Sequence, residues 1–378
     1  MAVKAGVPRE TQPGERRVAL NPGAAERLAK LGVQVLLQKG AGEAAQIPDR
    51  DYGDAVTLVD DAHALYQQAD MILKVQPPTI EEIDQMRDGA VVIGYMSPHL
   101  EPDRIAKLRD RNITAFSMEF IPRISRAQSM DALSSQAAVA GYKAAIMGAD
   151  LSNRFFPMLT TAAGTIRPAK VLVIGAGVAG LQAIATARRL GAQVEAYDVR
   201  AATKEQVQSL GAKFLETKVA AEGEGGYARE LNEEEKQQQQ ETLADHIAKS
   251  QVVITTAAIP GKASPRIIPK DMVEGMQPGG VIIDLAAEGG GNCELSKPGE
   301  TVNHSGVIIH APLNVPSQVP FHASEMYAKN LLSFLQPMIA DGEWKPDWDD
   351  EVIAKSVLTH AGAIRHEPTR VEVEDKQQ

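Results

Sequence analysis

The chain has 378 residues, of which 44% are hydrophobic and 4% aromatic, enough apolar material for two ordinary domain cores. Lys and Arg total 39 against 49 for Asp and Glu, giving a net charge of −10. This balance argues against a nucleic-acid partner or a polybasic membrane patch. The single cysteine, Cys293, excludes an internal disulfide, and no nearby Cys or His has zinc-ligand spacing, so no metal site is predicted.

Neither the N-terminus nor any internal stretch predicts membrane insertion. The opening MAVKAGVPRE has no apolar signal region, so we expect a mature cytoplasmic protein. The uncharged apolar stretch from Val171 to Ala187 is interrupted by glycines and falls short of the roughly 20 apolar residues of a spanning helix.

Short apolar runs of strand length alternate with helical patterns along most of the chain, which predicts an α/β fold with parallel sheets and right-handed crossovers. The first series has strand-like runs at 3–7, 33–38, 71–76, 91–96 and 113–118, with helical patterns at 22–31, 80–86 and 102–109. The second series has strand-like runs at 170–175, 192–198, 251–257, 280–286 and 306–312.

Two segments are candidate connectors between these series. Residues 131–155 are rich in alanine and poor in strand formers, which predicts a long joining helix, and residues 314–339 contain a second helical pattern bounded by prolines. The polar stretch 217–241 includes four consecutive glutamines. We predict a mobile loop in its first half and a solvated helix in its second.

The strongest motif follows the first strand of the second series. Gly175, Gly177 and Gly180 form G-x-G-x-x-G between a predicted strand and a predicted helix. The first glycine permits a tight turn, the second lets the backbone approach a pyrophosphate, and the third allows close helix-to-strand packing. A phosphate there would meet the N–H groups and the positive dipole end of the helix. The motif therefore predicts dinucleotide binding.

A carboxylate in register with the glycines supports this interpretation over a glycine turn needed only for packing. Asp198 closes the next strand, about 20 residues on, where it can accept hydrogen bonds from an adenosine ribose 2′-OH. The same carboxylate would repel a 2′-phosphate, so NAD is favoured over NADP. Arg200 weakens this preference, although a basic residue there can also stack on adenine.

Several stretches closely resemble the NAD(H)-binding component of proton-translocating nicotinamide nucleotide transhydrogenase. They are PRISRAQSMDALSSQ with AGYKA, GAGVAGLQAIATARRLGA, DVRAATKEQVQSLG, TTAAIPGK and IDLAAEGGGNC, and the resemblance runs from VPRET to at least Leu335. The wider superfamily includes alanine dehydrogenase, which shares RRVALNP at 16–22 and the VPSQVP turn.

The resemblance implies two Rossmann-like parallel-sheet domains joined by long helices, with NAD(H) in a cleft between them. The expected domains are 1–134 with 312–378, and 135–311. It also implies a homodimer whose partners are an NADP-binding beta subunit and a membrane-spanning subunit. Hydride would pass from NADH to NADP⁺ on the partner, coupled to proton translocation. We expect the chain at the inner face of the plasma membrane, attached only through its partners.

The resemblance also assigns site residues. A loop that contacts the nicotinamide matches RISRAQSMDALS, and Tyr227 matches a tyrosine on a mobile loop that closes over the nucleotide; Tyr142 matches a position near the site. The predicted catalytic residues are Arg123, Gln128, Asp131 and Ser134. The predicted cofactor-binding residues are Gly175, Gly177, Val178, Gly180, Asp198, Val199, Arg200, Tyr227 and Ala258.

Alanine dehydrogenase is the alternative, because it shares the fold and the cofactor. Oxidative deamination needs an acid/base group and cations for the substrate carboxylate, whereas hydride exchange between two nicotinamides needs only positioning. This chain keeps the arginine and lysine of the alanine dehydrogenase pattern as Arg17 and Lys74. It has Tyr95 in place of the histidine, with His99 four residues later, and Glu288 in place of an aspartate. The loss of the histidine favours transhydrogenase.

Hydride exchange assigns no role to Arg17 and Lys74. We interpret them as structural residues that pair with carboxylates across the cleft.

The polar cluster RISRAQSMD at 123–131 allows two interpretations. Ser125 and Gln128 have capping-box spacing, and Ser129 or Asp131 could equally cap the following helix. The cluster also holds more polar groups than a cap needs. An arginine could hold Asp131 through a bidentate pair, which would leave Asp131, Gln128 and Ser134 to clamp a nicotinamide without acid/base duty.

Overall fold

The structure is a computed structural model that describes residues 2–216, 221, 229, 231–258 and 263–376. Tyr227 and most of the predicted mobile loop lie outside the described residues. The chain divides into a first unit, Met1–Gln136 with Ser317–Gln378, and a second unit, Ala137–Pro316. The sequence placed the two boundaries after residues 134 and 311, and the structure divides the chain after residues 136 and 316.

The described strands and helices follow one another in the alternation that the sequence predicts. The strands are β1 (Lys4–Val7), β2 (Gln34–Gln38), β3 (Thr57–Val59), β4 (Met71–Leu73), β5 (Val91–Gly94), β6 (Thr114–Ser117), β7 (Leu159–Thr161), β8 (Gly164–Ile166), β9 (Lys170–Ile174), β10 (Gln193–Tyr197), β11 (Lys213–Phe214), β12 (Val252–Thr255), β13 (Val281–Asp284), β14 (Thr301–His304), β15 (Val307–His310), β16 (Ile339–Ala340), β17 (Glu343–Trp344), β18 (Val357–His360) and β19 (Ala363–Ile364). The helices are α1 (Pro22–Lys30), α2 (Ala62–Gln68), α3 (Ile80–Gln85), α4 (Pro102–Asp110), α5 (Ala132–Leu151), α6 (Val178–Arg189), α7 (Lys204–Ser209), α8 (Glu233–Lys249), α9 (Lys270–Glu274), α10 (Pro320–Leu335), α11 (Glu351–Ser356) and α12 (Glu367–Lys376).

The sheet of the first unit has the order β19-β18-β6-β5-β4-β1-β2-β3. Strands β1 to β6 are parallel to their neighbours, in the doubly wound order 3-2-1-4-5-6. Both faces of the sheet are buried, so the strands are apolar at consecutive positions. Leu36 and Ile72 enter one core, and Leu37 and Leu73 enter the other.

The sheet of the second unit has the order β11-β10-β9-β12-β13-β15-β14. Strands β9 and β12 are adjacent and parallel, and the strand order reverses between them. In an open α/β sheet such a reversal forms a crevice beyond the carboxyl ends of the strands, where ligands bind. The glycine motif begins where β9 ends, so it lies at this topological switch point.

Local signals in the sequence begin several helices. The Asn21 side chain accepts a hydrogen bond from the Ala24 N–H at 3.0 Å, and Pro22 occupies the first turn of α1, a position that suits proline. Thr79 and Glu82 form a reciprocal capping box at the start of α3. Because these caps satisfy N–H groups that the helix leaves unpaired, the helix starts were predictable from sequence.

The predicted fold class, two Rossmann-like parallel-sheet domains, is confirmed. The sequence did not predict the antiparallel edges, where β18 pairs with β6 and β14 with β15. The long alanine-rich helix is α5, and the division at Gln136 falls inside it. Within the part of the chain that the structure describes, no helix is long and apolar enough to cross a membrane.

Candidate functional site

The glycine turn between β9 and α6 is sterically restricted at two of its three glycines. Gly175 has φ 94°, and a Cβ there would lie 2.6 Å from Thr256 Oγ1. A Cβ on Gly180 would lie 1.8 Å from the Gly175 carbonyl oxygen. At Gly177 an added Cβ would meet only the Arg200 guanidinium, at 3.9 Å. The turn and the helix packing therefore require Gly175 and Gly180, while Gly177 has room for a Cβ.

Asp198 lies directly after β10 and is 5% exposed. One carboxylate oxygen accepts hydrogen bonds from the Ala176 N–H at 2.6 Å and from the Arg200 guanidinium at 2.6 Å. The other accepts from the Arg200 N–H at 2.8 Å and Arg200 Nε at 2.9 Å. These bonds use the roughly four acceptor positions of a carboxylate. Asp198 thus fixes the glycine turn and holds Arg200 beside it.

The remaining predicted cofactor-binding residues that the structure describes also lie in the second unit. Val178 begins α6 and is 43% exposed. Val199 is half-buried beside Asp198, and Ala258 is exposed beyond the carboxyl end of β12. Their exposure leaves them accessible to a ligand at the switch point.

Gly141 is a residue of this region that the motif analysis did not single out. It is buried in α5, and a Cβ there would lie 2.0 Å from the Ala179 carbonyl oxygen in the first turn of α6. The start of α6 therefore packs directly on the backbone of α5. The only sequence signal was a glycine inside a helical pattern, where glycine costs stability unless packing requires it.

The four predicted catalytic residues all lie in the first unit. Arg123 lies just ahead of a 3-10 helix at Ser125–Met130, and Gln128 lies within it. Both side chains are exposed. Asp131 precedes α5, and its two carboxylate oxygens accept from the Ser134 N–H at 2.8 Å and the Ser134 hydroxyl at 2.6 Å. Asp131 therefore caps α5, as one of the two interpretations of the cluster predicted.

The prediction of a capping box by Ser125 and Gln128 is wrong. Ser125 lies inside the 3-10 helix, whose N-cap is Ile124, and no side chain caps that helix. Arg126 does not hold Asp131 either: its guanidinium forms a bidentate pair with Asp350, with both bonds at 2.9 Å. The reason is geometric, because the 3-10 turn directs Arg126 towards the start of α11.

Helix α10 holds the same segment through one side chain. Asn330 donates to the Ser129 carbonyl at 2.9 Å and accepts from the Ser135 hydroxyl at 2.6 Å. These bonds span the junction between the 3-10 helix and α5, so Asn330 holds the backbone before Asp131 and a serine side chain after it. Sequence reasoning missed this residue, because nothing local marks an asparagine 201 positions from its partner.

Arg17 is buried, 4% exposed, and the carboxylate of Glu15 grips its guanidinium through bonds of 2.9 and 2.7 Å. Glu15 also accepts from the Ser317 hydroxyl and the Gln76 amide, each at 2.6 Å. Burial disfavours the charge on Glu15, but the Arg17 hydrogen bonds and charge, with the bonds from Ser317 and Gln76, outweigh it and lower the pKa to about 2. Arg17 also donates to Gln136 at 2.9 Å.

Lys74 is 1% exposed, and its Nζ lies 3.1 Å from a Glu82 oxygen and 3.3 Å from a Glu10 oxygen. Burial disfavours the ammonium charge, but these two carboxylates outweigh it and raise the pKa of Lys74. Arg17 and Lys74 are therefore paired with carboxylates of their own unit. The interpretation that they pair with carboxylates across a cleft is wrong, because Glu10, Glu15 and Glu82 belong to the first unit themselves.

Tyr95, His99 and Glu288 are the residues that bear on the difference between this chain and the alanine dehydrogenase pattern. Tyr95 directly follows β5, is half-buried against Tyr327 with the ring centroids 5.6 Å apart, and burial raises its pKa. His99 is exposed in the turn beyond it. Glu288 is exposed in the second unit and accepts from the Asn314 N–H at 2.9 Å.

Among the described residues, no group of three or more His, Cys, Asp or Glu side chains is placed to hold a metal ion. Cys293 is buried, and burial raises the pKa of its thiol to about 11. A thiol with such a pKa is protonated at neutral pH and is a poor nucleophile.

Comparisons with known proteins identify the family. Residues 6–140 match the model of the alanine dehydrogenase/PNT N-terminal domain, and residues 144–367 match that of the C-terminal domain. A relative from Rhodospirillum rubrum, named as the first portion of an NAD(P) transhydrogenase subunit alpha, is 48% identical over 96% of this chain and 98% of its own length.

Solved structures agree with this assignment. A transhydrogenase from Sinorhizobium meliloti has a TM-score of 0.87 at 45% identity, over 96% of this chain and 99% of that one. An L-alanine dehydrogenase has a TM-score of 0.81 at 23% identity, with both chains fully covered; this likeness shows the shared fold alone. The resemblance inferred from the sequence motifs is thereby confirmed, and the chain belongs to the alanine dehydrogenase/PNT family, among the relatives of the NAD(P) transhydrogenase alpha subunits.

Proposed function

We propose that this chain binds NAD(H) and passes hydride from NADH to NADP⁺ held on a partner subunit, coupled to proton translocation across a membrane. The observation that carries the proposal is the glycine turn at the β9/β12 switch point, with Asp198 at the end of the adjacent strand β10. The transhydrogenase alpha subunits at 48% identity give the reaction class.

The shape of the turn suits a dinucleotide. At Gly177 the nearest atom to an added Cβ belongs to the Arg200 guanidinium, at 3.9 Å, so a pyrophosphate can approach the backbone there. The start of α6 supplies the N–H groups of a first helical turn and the positive end of the helix dipole. NADH, when bound, supplies the hydride. The residues around it bind, orient and exclude water.

Ribose recognition would require an exchange of partners at Asp198. Its acceptor positions are used by the Ala176 N–H and by Arg200. We infer that a ribose 2′-OH takes over an acceptor position from the Arg200 guanidinium, which then turns outward. Because Ala176 keeps its bond, the glycine turn stays fixed during the exchange.

The predicted clamp of the first unit supports positioning as the catalytic principle. Both oxygens of Asp131 accept from Ser134, which orients the carboxylate to receive further hydrogen bonds from a carboxamide. Arg123 and Gln128 are exposed in the segment that precedes it. Hydride exchange between nicotinamides releases no proton from the reacting carbons, so orientation is sufficient. We therefore assign Arg123, Gln128, Asp131 and Ser134 to nicotinamide contact.

The alternative function is NAD-dependent oxidative deamination of alanine. That reaction needs a proton-transferring group near neutral pKa, and the position expected for its histidine holds Tyr95, whose pKa is raised by burial. The deciding experiment adds NADH and an NADP⁺ analogue to the chain with its partner subunits and follows reduction of the analogue. Alanine-dependent reduction of NAD⁺ by the chain alone would refute the transhydrogenase proposal.

The partners and location form part of the same proposal. We propose a homodimer that docks on an NADP-binding beta subunit and a membrane-spanning subunit, at the inner face of the plasma membrane. The word subunit in the names of the relatives supports a multisubunit complex. The stretch 155–166 carries no charge and exposes the apolar side chains of Phe155, Met158 and Ile166, which suits a protein contact. Light scattering on the purified chain tests the dimer.

Proton coupling has its own test. Sealed vesicles that contain the complete complex should develop a pH difference when NADH reduces NADP⁺, and collapsing that difference with an uncoupler should change the rate. If no pH difference develops and the uncoupler does not change the rate, proton coupling is refuted and only hydride exchange remains of the proposal.

A further inference from the structure

Asn292 is a polar side chain, 0% exposed, in the loop between β13 and β14, and the proposed function gives it no role. Its Oδ1 accepts from the Ala257 N–H at 3.0 Å, and its Nδ2 donates to the Ala257 carbonyl and the Pro265 carbonyl, both at 2.8 Å. Its backbone carbonyl accepts from the Ile267 and Ile268 N–H groups. One buried residue thus holds the backbone at two separated points beyond β12.

These points border the glycine turn. Ala257 lies just past the carboxyl end of β12, at the topological switch point. Its neighbour Thr256 donates from its hydroxyl to the Gly175 carbonyl at 2.9 Å, and a Cβ on Gly175 would lie 3.2 Å from the Ala257 nitrogen. A ligand that enters the crevice between β9 and β12 therefore meets backbone that Asn292 has fixed.

A buried carboxylate holds the loop that carries Asn292. Asp284, 0% exposed, accepts from the Cys293 N–H at 2.9 Å and the Ser296 hydroxyl at 2.6 Å. It also accepts from the Thr255 hydroxyl at 3.0 Å, which ties the loop to the last residue of β12. These hydrogen bonds to Asp284 therefore fix the position of the loop and of Asn292 within it.

We propose that Asn292 is a positioning residue for hydride transfer, holding the backbone at Ala257 and Pro265 as the surface against which the nicotinamide ring lies. This inference rests on the proposed transhydrogenase function. The amide is suited to the task, because it presents one acceptor and two donors in a plane, whereas a carboxylate offers no donor. Hydride transfer depends steeply on geometry: a displacement of about 1 Å can cost roughly 100-fold in rate.

The experiment compares Asn292→Ala and Asn292→Asp with the wild type, each assembled with its partner subunits. Asn292→Asp keeps the volume and the acceptor but places a carboxylate against two carbonyl oxygens. Glu294→Gln is the matched control, because it changes an exposed side chain of the same loop that accepts from the Lys270 N–H and leaves the bonds to Ala257 and Pro265 intact. Three quantities are measured: the single-turnover rate of hydride transfer, the Kd for NADH, and the melting temperature.

We expect both Asn292 variants to lose about tenfold or more in the single-turnover rate. Their Kd for NADH should stay within about threefold of wild type, because the turn at Gly175 to Gly180 and Asp198 hold the adenosine and pyrophosphate and are untouched. Glu294→Gln should transfer hydride at the wild-type rate even where its melting temperature falls.

Several results overturn the inference. They are variants of Asn292 that transfer hydride normally, a rate that falls only in proportion to NADH affinity, an equal loss in Glu294→Gln, and Asn292 variants that both fail to fold, which would assign the residue to stability. An inactive wild-type complex refutes the proposed function itself. An active wild type with equally active variants refutes only the role of Asn292.

Discussion

Replacing Asp198 by asparagine should invert the nucleotide preference of the second unit. The carboxylate grips the Arg200 guanidinium through bonds of 2.9 and 2.6 Å and accepts from the Ala176 N–H. Asparagine keeps an oxygen for Ala176, so the glycine turn is preserved. It removes the negative charge that holds Arg200 and that would repel a 2′-phosphate.

The magnitude follows from the hydrogen bonds involved. NADH loses a charge-assisted bond from its ribose, worth about 1.5–3 kcal/mol in a site as buried as this one, which corresponds to roughly 10- to 150-fold in Kd. NADPH gains, because Arg200 is released from the carboxylate and can form a bidentate pair with a phosphate. The ratio of the two dissociation constants should therefore shift by about 100-fold or more.

Fluorescence titration of wild type and Asp198→Asn with NADH and with NADPH measures this ratio directly. Glu195→Gln is the matched control, since it makes the same charge change on β10 but affects only the pairs with Lys213 and His246. It should bind both nucleotides as wild type does. An unchanged ratio in folded Asp198→Asn, or an equal shift in the control, would refute the assignment of Asp198 to the ribose.

Asp131→Asn should lower the hydride-transfer rate of the assembled complex without a new pH dependence, and lower the free energy of unfolding by about 1 kcal/mol because the cap on Ser134 weakens; stopped-flow kinetics and urea unfolding measure the two effects. For Glu15, whose folded pKa is lowered from 4.5 to about 2, the stabilisation is complete above pH 4.5 and is lost as the pH falls towards 2. Urea unfolding across this range should show a loss on the order of 3 kcal/mol that Glu15→Gln abolishes. Gly141→Ala should destabilise the fold by roughly 1–3 kcal/mol and weaken NADH binding, because its Cβ would press on the Ala179 carbonyl; melting curves and titration with NADH measure both.

Each of these outcomes can fail separately. An unaffected rate in Asp131→Asn would return the segment to helix capping alone. Parallel pH profiles of wild type and Glu15→Gln would show that the Arg17 pair does not control acid stability. For Gly141, full affinity in the alanine variant would mean that α6 tolerates a shift of its first turn.

Much of the fold could be predicted from the sequence, because its cause is local. Strands buried on both faces read as continuous apolar runs, so β9 and β12 were visible as such. The G-x-G-x-x-G spacing and Asp198 lie within one strand–helix–strand unit, whose geometry is nearly fixed. The short antiparallel strands β18 and β19 were missed, because a short edge pairing depends on the surface already built by β6.

The sequence by itself determined the two-sheet architecture, the dinucleotide turn and the family, since repeating apolar periods and motif spacings record local geometry. Only the tertiary structure decided which side chains meet. It paired Arg126 with Asp350 across 224 positions and brought Asn292 to Ala257 across 35. Hydrogen bonds of this kind form where chain segments happen to pack together, and no local pattern specifies them.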